Sequence, residues 1–263
     1  MLNRIAVLSD IHGNMPALEA VVADLEKRPA DCVVNLGDHL SGPLFPHETA
    51  EYLMKQDWIH IAGNHDRHLA SLKPQDMIPS DQYAYQHLDK AQLAWLRSHP
   101  ASFVLDGELL LCHGAPGNDL TYLLETVEHG RTRLASAGEI GQRLGSVEQN
   151  VVLCGHTHIP RAVQSAGETL IINPGSVGLP AYDDTHPEPH IVENGSPHAR
   201  YAVLERQADG WRVELIAVNY DHQQAARQAQ RNQRPDWEIA LRTGFMQQAG
   251  NNPATISLSM HKV

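Results

Sequence analysis

The chain has 263 residues, of which 42% are hydrophobic and 19% are charged. Apolar segments recur along the whole length, so a disordered chain is excluded and a sizeable buried core is expected. The 31 acidic residues outnumber the 20 lysines and arginines, which gives a net charge of −11. This charge excludes a broad basic surface that coats nucleic acid, because phosphate neutralisation supplies such binding. It does not exclude a small anionic substrate.

The chain contains 17 histidines and three cysteines. Imidazole is a common metal ligand and is suited to proton transfer near neutral pH. Cys32, Cys112 and Cys154 lie far apart within apolar runs, which predicts reduced thiols rather than disulfides. The N-terminal apolar stretch is too short for a signal peptide, and no segment has the length of a membrane-spanning helix. We therefore expect a cytoplasmic protein without membrane contact.

Five short apolar runs, rich in β-branched residues, predict strands that are buried on both faces. Helices are predicted between the first three runs, over residues 16–27 and 47–55. This β-α-β-α-β order predicts a largely parallel sheet with right-handed crossovers. The five runs cover residues 5–8, 32–36, 58–62, 109–112 and 151–154.

After the fifth run the pattern changes to closely spaced strands. This change predicts a second, more antiparallel sheet that packs against the first, with helices outside. We expect residues 1–245 to form a single domain and residues 246–263 to form a weakly ordered tail. The strands predicted for the second sheet cover residues 169–172, 201–205 and 212–218.

Three segments are predicted to lie at the periphery of the sheets. Residues 67–100 and 119–150 are interpreted as mostly helical insertions that overhang the strand ends. Residues 183–198 are rich in proline and polar side chains and are predicted to form a flap. From residue 221 onward, the sequence predicts one or two helices that are broken near Pro235 and end near Gly244.

A polar cluster follows each of the first five predicted strands. In open α/β sheets ligands bind at the carboxyl ends of the strands, so we expect these clusters to converge on one crevice. Their side chains are carboxylates, imidazoles and one carboxamide, all of which can bind metal. The clusters are Asp10-Ile11-His12, Gly37-Asp38-His39, Gly63-Asn64-His65-Asp66, His113-Gly114 and Gly155-His156-Thr157-His158.

Each cluster taken alone has a simpler explanation. Asp10 could cap a helix, Asn64 could close a turn, and His113 could be a hydrogen-bonded core histidine. The occurrence of all five clusters in this order, each after an apolar strand, favours a shared metal site over five separate structural roles.

The pattern D-x-H, G-D, G-N-H-D, H and G-H-x-H resembles that of the calcineurin-like metallophosphoesterase superfamily. The chain looks most like the small bacterial phosphoesterases related to diadenosine tetraphosphatases and to compact phosphodiesterases. The resemblance implies an α/β fold, a four-layer α/β/β/α sandwich of two mixed β-sheets flanked by helices. The segments that favour this subgroup are residues 10–14, 155–160 and 173–178.

The resemblance also implies two divalent or trivalent transition-metal ions. The resemblance favours manganese and iron, with zinc as an alternative, and nitrogen and oxygen ligands suit all three metals. Asp38 would bridge the two ions. A hydroxide between the ions would attack the phosphate directly. The side chains implied as the other ligands are Asp10, His12 and His158 for one ion and Asn64, His113 and His156 for the second.

By the same resemblance, His65 would protonate or stabilise the leaving group, and Asp66 would fix the orientation of His65. Asn14, His39 and Arg67 are candidate substrate contacts. His39 occupies a position where relatives commonly carry an apolar or aromatic residue. It could be an added ligand or a substrate contact, but a hydrogen bond to a carbonyl on the opposite face of the strand is the favoured interpretation.

The function predicted from these residues is hydrolysis of a phosphate ester, most favourably a phosphodiester or nucleotide-type small molecule. A serine/threonine-type protein phosphatase and a phosphomonoesterase are alternatives within the same chemistry. A non-catalytic binding scaffold with the same fold is an alternative of another class, but it predicts loss of a ligand or of the catalytic histidine, and here every one is present. The natural substrate, the metal pair and the oligomeric state are left open by the sequence.

Overall fold

A computed structural model describes residues 2–246 of the chain. Two five-stranded mixed sheets pack face to face and carry helices on their outer faces, which confirms the predicted α/β sandwich. The strands are β1 Arg4–Leu8, β2 Cys32–Asn35, β3 Ile59–His60, β4 Ser102–Leu105, β5 Leu109–Cys112, β6 Glu125–Glu128, β7 Arg131–Leu134, β8 Val151–Leu153, β9 Arg161–Gln164, β10 Leu170–Asn173, β11 Ala181–Asp184, β12 His190–Glu193, β13 Ala199–Gln207 and β14 Gly210–Val218. The helices are α1 Met15–Leu25, α2 Pro46–Leu53, α3 Asn64–Ser71, α4 Pro79–His87, α5 Lys90–Arg97, α6 Ala137–Leu144, α7 His222–Arg231 and α8 Pro235–Thr243.

The first sheet has the strand order β14-β13-β1-β2-β3, with β1, β2 and β3 parallel to one another. Side chains alternate across β1, so that Ile5 and Val7 face the second sheet while Ala6 and Leu8 face the helices. Both faces of the strand are buried, which is why the sequence of β1 is continuously apolar.

The second sheet has the order β4-β5-β8-β10-β9, with a parallel centre and antiparallel edges. The prediction that residues 201–205 and 212–218 belong to this sheet is wrong. These residues lie in β13 and β14, which pair antiparallel beside β1 in the first sheet. Tyr201 faces the helices and Leu204 faces the core between the sheets, so β13 fits this central position as well as β1 does.

The predicted helices near residues 16–27 and 47–55 correspond to α1 and α2. In the C-terminal part, α8 begins at Pro235, as the sequence predicts, and ends before Gly244, whose φ of 76° is left-handed. The tail predicted for residues 246–263 lies outside the described residues except for Met246. Within residues 2–246, each helix falls short of the length and apolar character that crossing a membrane requires.

The segment 67–100 is helical, as expected, and contains the end of α3 together with α4 and α5. The expectation for 119–150 is met only by α6, because a β-hairpin of β6 and β7 precedes that helix. The hairpin turns at His129 and Gly130, which both have positive φ, as a tight two-residue turn requires. The predicted flap at 183–198 is largely a second hairpin, formed by β11 and β12.

Candidate metal centre and active site

The polar clusters that follow β1, β2, β3, β5 and β8 meet at one edge of the sandwich. Backbone hydrogen bonds join the neighbouring strand ends: Asp10 N–H donates to Gly37 O at 3.0 Å, and His12 N–H donates to Asp38 O at 3.0 Å. Across the two sheets, His156 N–H donates to Asp10 Oδ2 at 3.2 Å. The convergence expected from the strand ends is therefore present.

The backbone turns sharply where the predicted ligands stand. Five of them have φ in the left-handed region, which costs about 1–2 kcal/mol for a residue other than glycine. Such strain concentrates at functional sites, where the surrounding structure holds it in place. The five residues are Asp10 (φ 55°), His12 (52°), Asp38 (54°), His156 (68°) and His158 (58°).

Two glycines allow the strand ends to approach each other closely. A Cβ added to Gly63 would lie 2.2 Å from Oδ1 of Asp38, and one added to Gly155 would lie 2.0 Å from Oγ of Ser9. Any side chain at either position would displace the residues around the site.

The first group of candidate ligands consists of Asp10, His12 and His158, all of them buried. His12 Nε2 lies 3.2 Å from His158 Nε2, and His158 Nε2 lies 3.4 Å from Asp10 Oδ1. One potential ligand atom from each of the three residues lies within 4.8 Å of the others. A single ion can therefore contact all three side chains.

The second group contains Asp38, His113 and His156, and Asn64 lies beside it. His113 Nε2 is 3.2 Å from Asp38 Oδ2 and 3.0 Å from Asn64 Oδ1. Asp38 Oδ2 is also 4.0 Å from His12 Nε2 in the first group. Asp38 thus contacts the second group and lies within 4.0 Å of the first.

Backbone carbonyls determine which nitrogen of each imidazole can bind a metal. A carbonyl oxygen only accepts, so the Nδ1 atoms of His12, His113 and His158 must donate, which leaves each Nε2 with a free lone pair. For His156 the facing carbonyl is Leu120 O, 3.3 Å from Nε2, and Nδ1 is the free atom. The other carbonyls are those of Ser41 for His12 at 2.7 Å, Leu36 for His113 at 2.8 Å and Leu179 for His158 at 2.7 Å.

The charges of the cluster fit bound cations. Burial by itself would raise the pKa of Asp10, but His158 and His113 outweigh burial and hold this pKa at about 2. His113 and His65 likewise outweigh burial at Asp38 and hold its pKa well below the usual range. Asp10 Oδ1 is buried and finds no hydrogen-bond partner among residues 2–246. Two ionised, buried carboxylates require positive charge, which metal ions can supply.

His65 stands at the first turn of α3, beside the candidate metal ligands. Its backbone N–H donates to Asp38 Oδ1 at 2.9 Å, and its ring Nδ1 lies 2.9 Å from Asp81 Oδ1. Burial lowers the pKa of His65, but the carboxylates of Asp38 and Asp81 outweigh burial and raise this pKa to about 9. Nε2 is therefore the ring nitrogen left for a substrate.

Asp81 is a residue that the sequence reasoning missed. It lies in α4 and is buried, and it accepts hydrogen bonds from His65 and from Ser41 Oγ at 2.5 Å. His68 Nδ1 lies 3.4 Å from the other oxygen. Its burial identifies it in the structure, whereas its position inside a helical insertion gives no such signal in the sequence.

The predicted role of Asp66 in orienting His65 is wrong, because Asp66 bonds other groups and the His65 ring faces Asp81. Its carboxylate accepts from the backbone N–H groups of Asp38 at 2.7 Å, His39 at 3.1 Å and Gly63 at 2.9 Å. The same carboxylate lies 2.7 Å from His39 Nδ1. Asp66 therefore orients the backbone that carries Asp38, and Asp81 orients His65.

The three candidate substrate contacts occupy different environments. Asn14 is fully buried, where it donates to Gly178 O at 2.8 Å and accepts from Ala17 N–H at the start of α1. His39 is fully buried as well, and it bonds the Asp66 carboxylate rather than a carbonyl. Both are thereby removed from the set of substrate contacts, because protein groups surround them. Arg67 is 45% exposed at the rim and forms a two-pronged ion pair with Asp119.

A cavity of about 560 Å³ opens onto the candidate ligands. Its inner wall includes His12, Asp38, Asn64 and His65. Its outer wall includes Tyr182 and Asp184 of the β11–β12 hairpin, part of which the sequence predicts as a flap. It also includes Arg234 and Trp237 at the start of α8, which the sequence did not place near the site.

Residues 4–196 match the calcineurin-like phosphoesterase superfamily domain, and the chain belongs to this superfamily. An uncharacterized protein of Methanocaldococcus jannaschii, MJ0912, is 23% identical over 258 residues, which cover 89% of this chain and 94% of that protein.

Two solved structures share the fold. A metallophosphoesterase from Sphaerobacter thermophilus superimposes with a TM-score of 0.72 at 24% identity, over 93% of this chain and all of the other. A hypothetical protein from Pyrococcus horikoshii, PH1004, superimposes with a TM-score of 0.71 at 19% identity, over 93% of this chain and 99% of the other. Each superposition covers a larger share of the chain than residues 4–196 do. The shared fold therefore extends beyond the matched domain.

Proposed function

We propose that this chain is a metal-dependent phosphoesterase with two metal ions, which hydrolyses a small phosphodiester or nucleotide-type molecule by direct attack of water. The observation that carries the proposal is the pair of ligand groups that share Asp38, with His65 beside them. When bound, the ions would lower the pKa of water and neutralise charge on the phosphoryl oxygens.

The protein would hold the ions with side chains whose orientation is already set. Asp10, His12 and His158 would take one ion, and His113 and His156, joined by the amide oxygen of Asn64, would take the other. Asp38 would share its carboxylate between them. Each of the histidines is held by a backbone carbonyl, which reduces the reorganisation needed on binding.

His65 would donate a proton to the oxygen of the leaving group. Its Nδ1 faces Asp81, so the proton on Nε2 is the one available to a substrate in the cavity. The raised pKa of about 9 favours the protonated imidazole at neutral pH. Asp81 itself accepts a hydrogen bond from Ser41 Oγ, which fixes the positions of Asp81 and His65.

The shape of the cavity favours a small substrate over a phosphoprotein. A volume of about 560 Å³ lies within the range of pockets that bind small molecules, about 300–1,000 Å³. Trp237 offers an apolar surface on the outer wall, and Arg234 offers a cation, although Arg234 also pairs with Asp236 at 2.6 Å. A protein substrate would require an open groove in place of these walls.

The proposal can be tested with purified full-length protein loaded with Mn²⁺. Hydrolysis of bis(4-nitrophenyl) phosphate should be compared with that of 4-nitrophenyl phosphate, cyclic nucleotides, dinucleoside polyphosphates and a phosphopeptide. We expect the diester or nucleotide substrates to be turned over fastest, and Asp38→Asn to abolish that turnover. A metal-loaded protein that hydrolyses none of these substrates would favour the binding scaffold, and preference for the phosphopeptide would favour a protein phosphatase.

A further inference from the structure

We propose that His39, His60 and His99 form a third metal site, which binds one divalent transition-metal ion of the zinc type through three imidazole nitrogens. The three histidines come from separate segments: His39 follows β2, His60 ends β3, and His99 follows α5. His39 contacts Asp66, and among residues 2–246 none of the three histidines lines the substrate cavity.

The spacing of the three rings fits tetrahedral coordination. The ring centroids of His39, His60 and His99 lie 5.1, 5.2 and 5.2 Å apart, which is nearly an equilateral triangle. Three imidazoles bound to one zinc ion at about 2.0–2.1 Å would place their centroids about 5.2 Å apart and their ligand nitrogens about 3.4 Å apart. His39 Nε2 and His60 Nδ1 are separated by 3.1 Å. Each ring offers a nitrogen atom that lies within 4.8 Å of the nitrogen atoms offered by the other two rings.

The candidate dinuclear site supplies an internal standard for this geometry. The centroids of His12 and His158 lie 5.0 Å apart with an interplanar angle of 53°, and those of His113 and His156 lie 5.0 Å apart at 52°. His39 and His60 lie 5.1 Å apart at 50°. The pairs that include His99 are more nearly parallel, at 29° and 28°. Rotation about the metal–nitrogen bond tolerates this difference, because it leaves the ligand atom in place.

Hydrogen bonds within the protein leave these histidines incompletely satisfied. The Nε2 atoms of His60 and His99 are buried and without a hydrogen-bond partner in the part of the chain that the structure describes. Leaving a buried polar atom unpaired is costly, so packing alone is a poor explanation for these two unpaired nitrogens. A bound cation would pair the free nitrogen of His99 and would replace the hydrogen bond between His39 Nε2 and His60 Nδ1.

His39 also has the environment of a metal ligand. Asp66 Oδ2 lies 2.7 Å from His39 Nδ1, which makes Nδ1 the donor and directs the lone pair of Nε2 at the other two rings. A carboxylate that orients a histidine in this way is typical of zinc sites. The indole of Trp95 packs edge-on against all three rings, at centroid distances of 5.3, 5.3 and 4.4 Å, and shields the group from water.

The consequence of an ion here would be structural. It would join the loop after β2 to β3 and to the end of α5. Since Asp66 accepts both from His39 and from the backbone of Asp38, the ion would also fix the loop that carries the bridging carboxylate. It would act through Asp66 and would not touch the substrate.

The test is the metal content of the full-length protein after equilibration with Zn²⁺ and removal of unbound ion by gel filtration. We expect three zinc ions per chain in the wild type, two in His99→Asn, and one in Asp38→Asn/His158→Asn. His129→Asn is the matched control, because that ring is 93% exposed in a hairpin turn, and it should retain three. Equal zinc content in the wild type and His99→Asn would overturn the proposal.

A second measurement does not depend on how a variant folds. Anomalous diffraction from wild-type crystals at the zinc edge should show a peak among the three imidazoles, about 2 Å from His39 Nε2. A map with zinc peaks only at the Asp38 cluster would overturn the proposal. Neither measurement uses turnover, so a failure of the proposed phosphoesterase activity would leave both outcomes interpretable.

Discussion

The histidines of the candidate dinuclear site and the cluster of His39, His60 and His99 reach similar ring spacings by different means. In the candidate dinuclear site, His12, His156 and His158 have left-handed backbone, as do both aspartates. His39, His60 and His99 lie outside the left-handed region. The difference follows from position: the first cluster stands at strand ends, where the chain must turn at once to aim its side chains inward, whereas the second lies in or beside regular elements.

This comparison predicts where the protein is sensitive. The strained cluster holds ionised carboxylates and opens onto the cavity, so its changes should affect catalysis and metal binding strongly. In the described part of the chain, the unstrained cluster does not line the cavity, so its changes should affect metal content and stability more than turnover.

The largest effect is expected for Asp38→Asn. Loss of one charge between the two ligand groups should weaken both metals and lower kcat/KM for an aryl phosphodiester by about 10³-fold or more. Steady-state kinetics with Mn²⁺ and elemental analysis would check this. Asp106→Asn is the matched control, because Asp106 has a similar φ of 51° in a turn away from the cavity. Equal kcat/KM in both variants would contradict the bridging role.

His65→Gln should lower kcat by about 10²–10³-fold, in the usual range for loss of a general acid. The metal content should stay at the wild-type value, because His65 donates only its backbone N–H to Asp38, and glutamine preserves that donor. Measuring kcat and metal content together distinguishes a catalytic role of His65 from a role as a metal ligand. A fall in metal content that accounts for the whole loss of activity would assign His65 to the metal site instead.

Chelation of the metals should lower the melting temperature. A ligand present at 100 times its Kd stabilises the folded state by about 2.7 kcal/mol, and about 2–4 °C accompany each kcal/mol in a protein of this size. We therefore expect a loss of about 5–10 °C in EDTA, measured by differential scanning fluorimetry and reversed by Mn²⁺. The Asp38→Asn variant should show a smaller loss, and a loss equal to that of the wild type would place the stabilising ions elsewhere.

Asp81→Asn should have a smaller effect on kcat, about 10-fold, together with a change in pH dependence. Asp81 raises the pKa of His65, so its removal must lower this pKa. If His65 acts as an acid, activity is lost as pH rises through its pKa, and the basic limb of the profile of kcat should move to lower pH. The exposed Asp76→Asn is the control. An unchanged basic limb would show that Asp81 does not influence the pKa of the group that donates the catalytic proton.

The smallest effect is expected for Arg67→Gln. The guanidinium already pairs with Asp119 at 2.7 Å and is largely exposed, so little of its charge is free for the substrate. We expect KM for the preferred diester to change by less than about threefold. A rise of more than tenfold would restore Arg67 to the substrate contacts.

Much of the fold could be predicted from local pattern. Residues 5–8 are apolar throughout because both faces of β1 are buried, and Pro235 marks the start of α8 because proline is tolerated in the first helical turn. The assignment of β13 to the second sheet was wrong, since strand order depends on pairing between residues that are far apart in the chain. The hairpin of β6 and β7 was missed because its His-Gly turn is a weak signal.

What the amino-acid sequence by itself determined was the set of side chains at the strand ends, because polar ligands directly after buried strands must gather where the strands stop. What only the tertiary structure decided was the partner of each group. Asp81 faces His65 from an insertion, Asp66 faces His39, and His99 joins His39 and His60. These contacts join segments that the chain brings together only when the helices pack, so no spacing in the sequence records them.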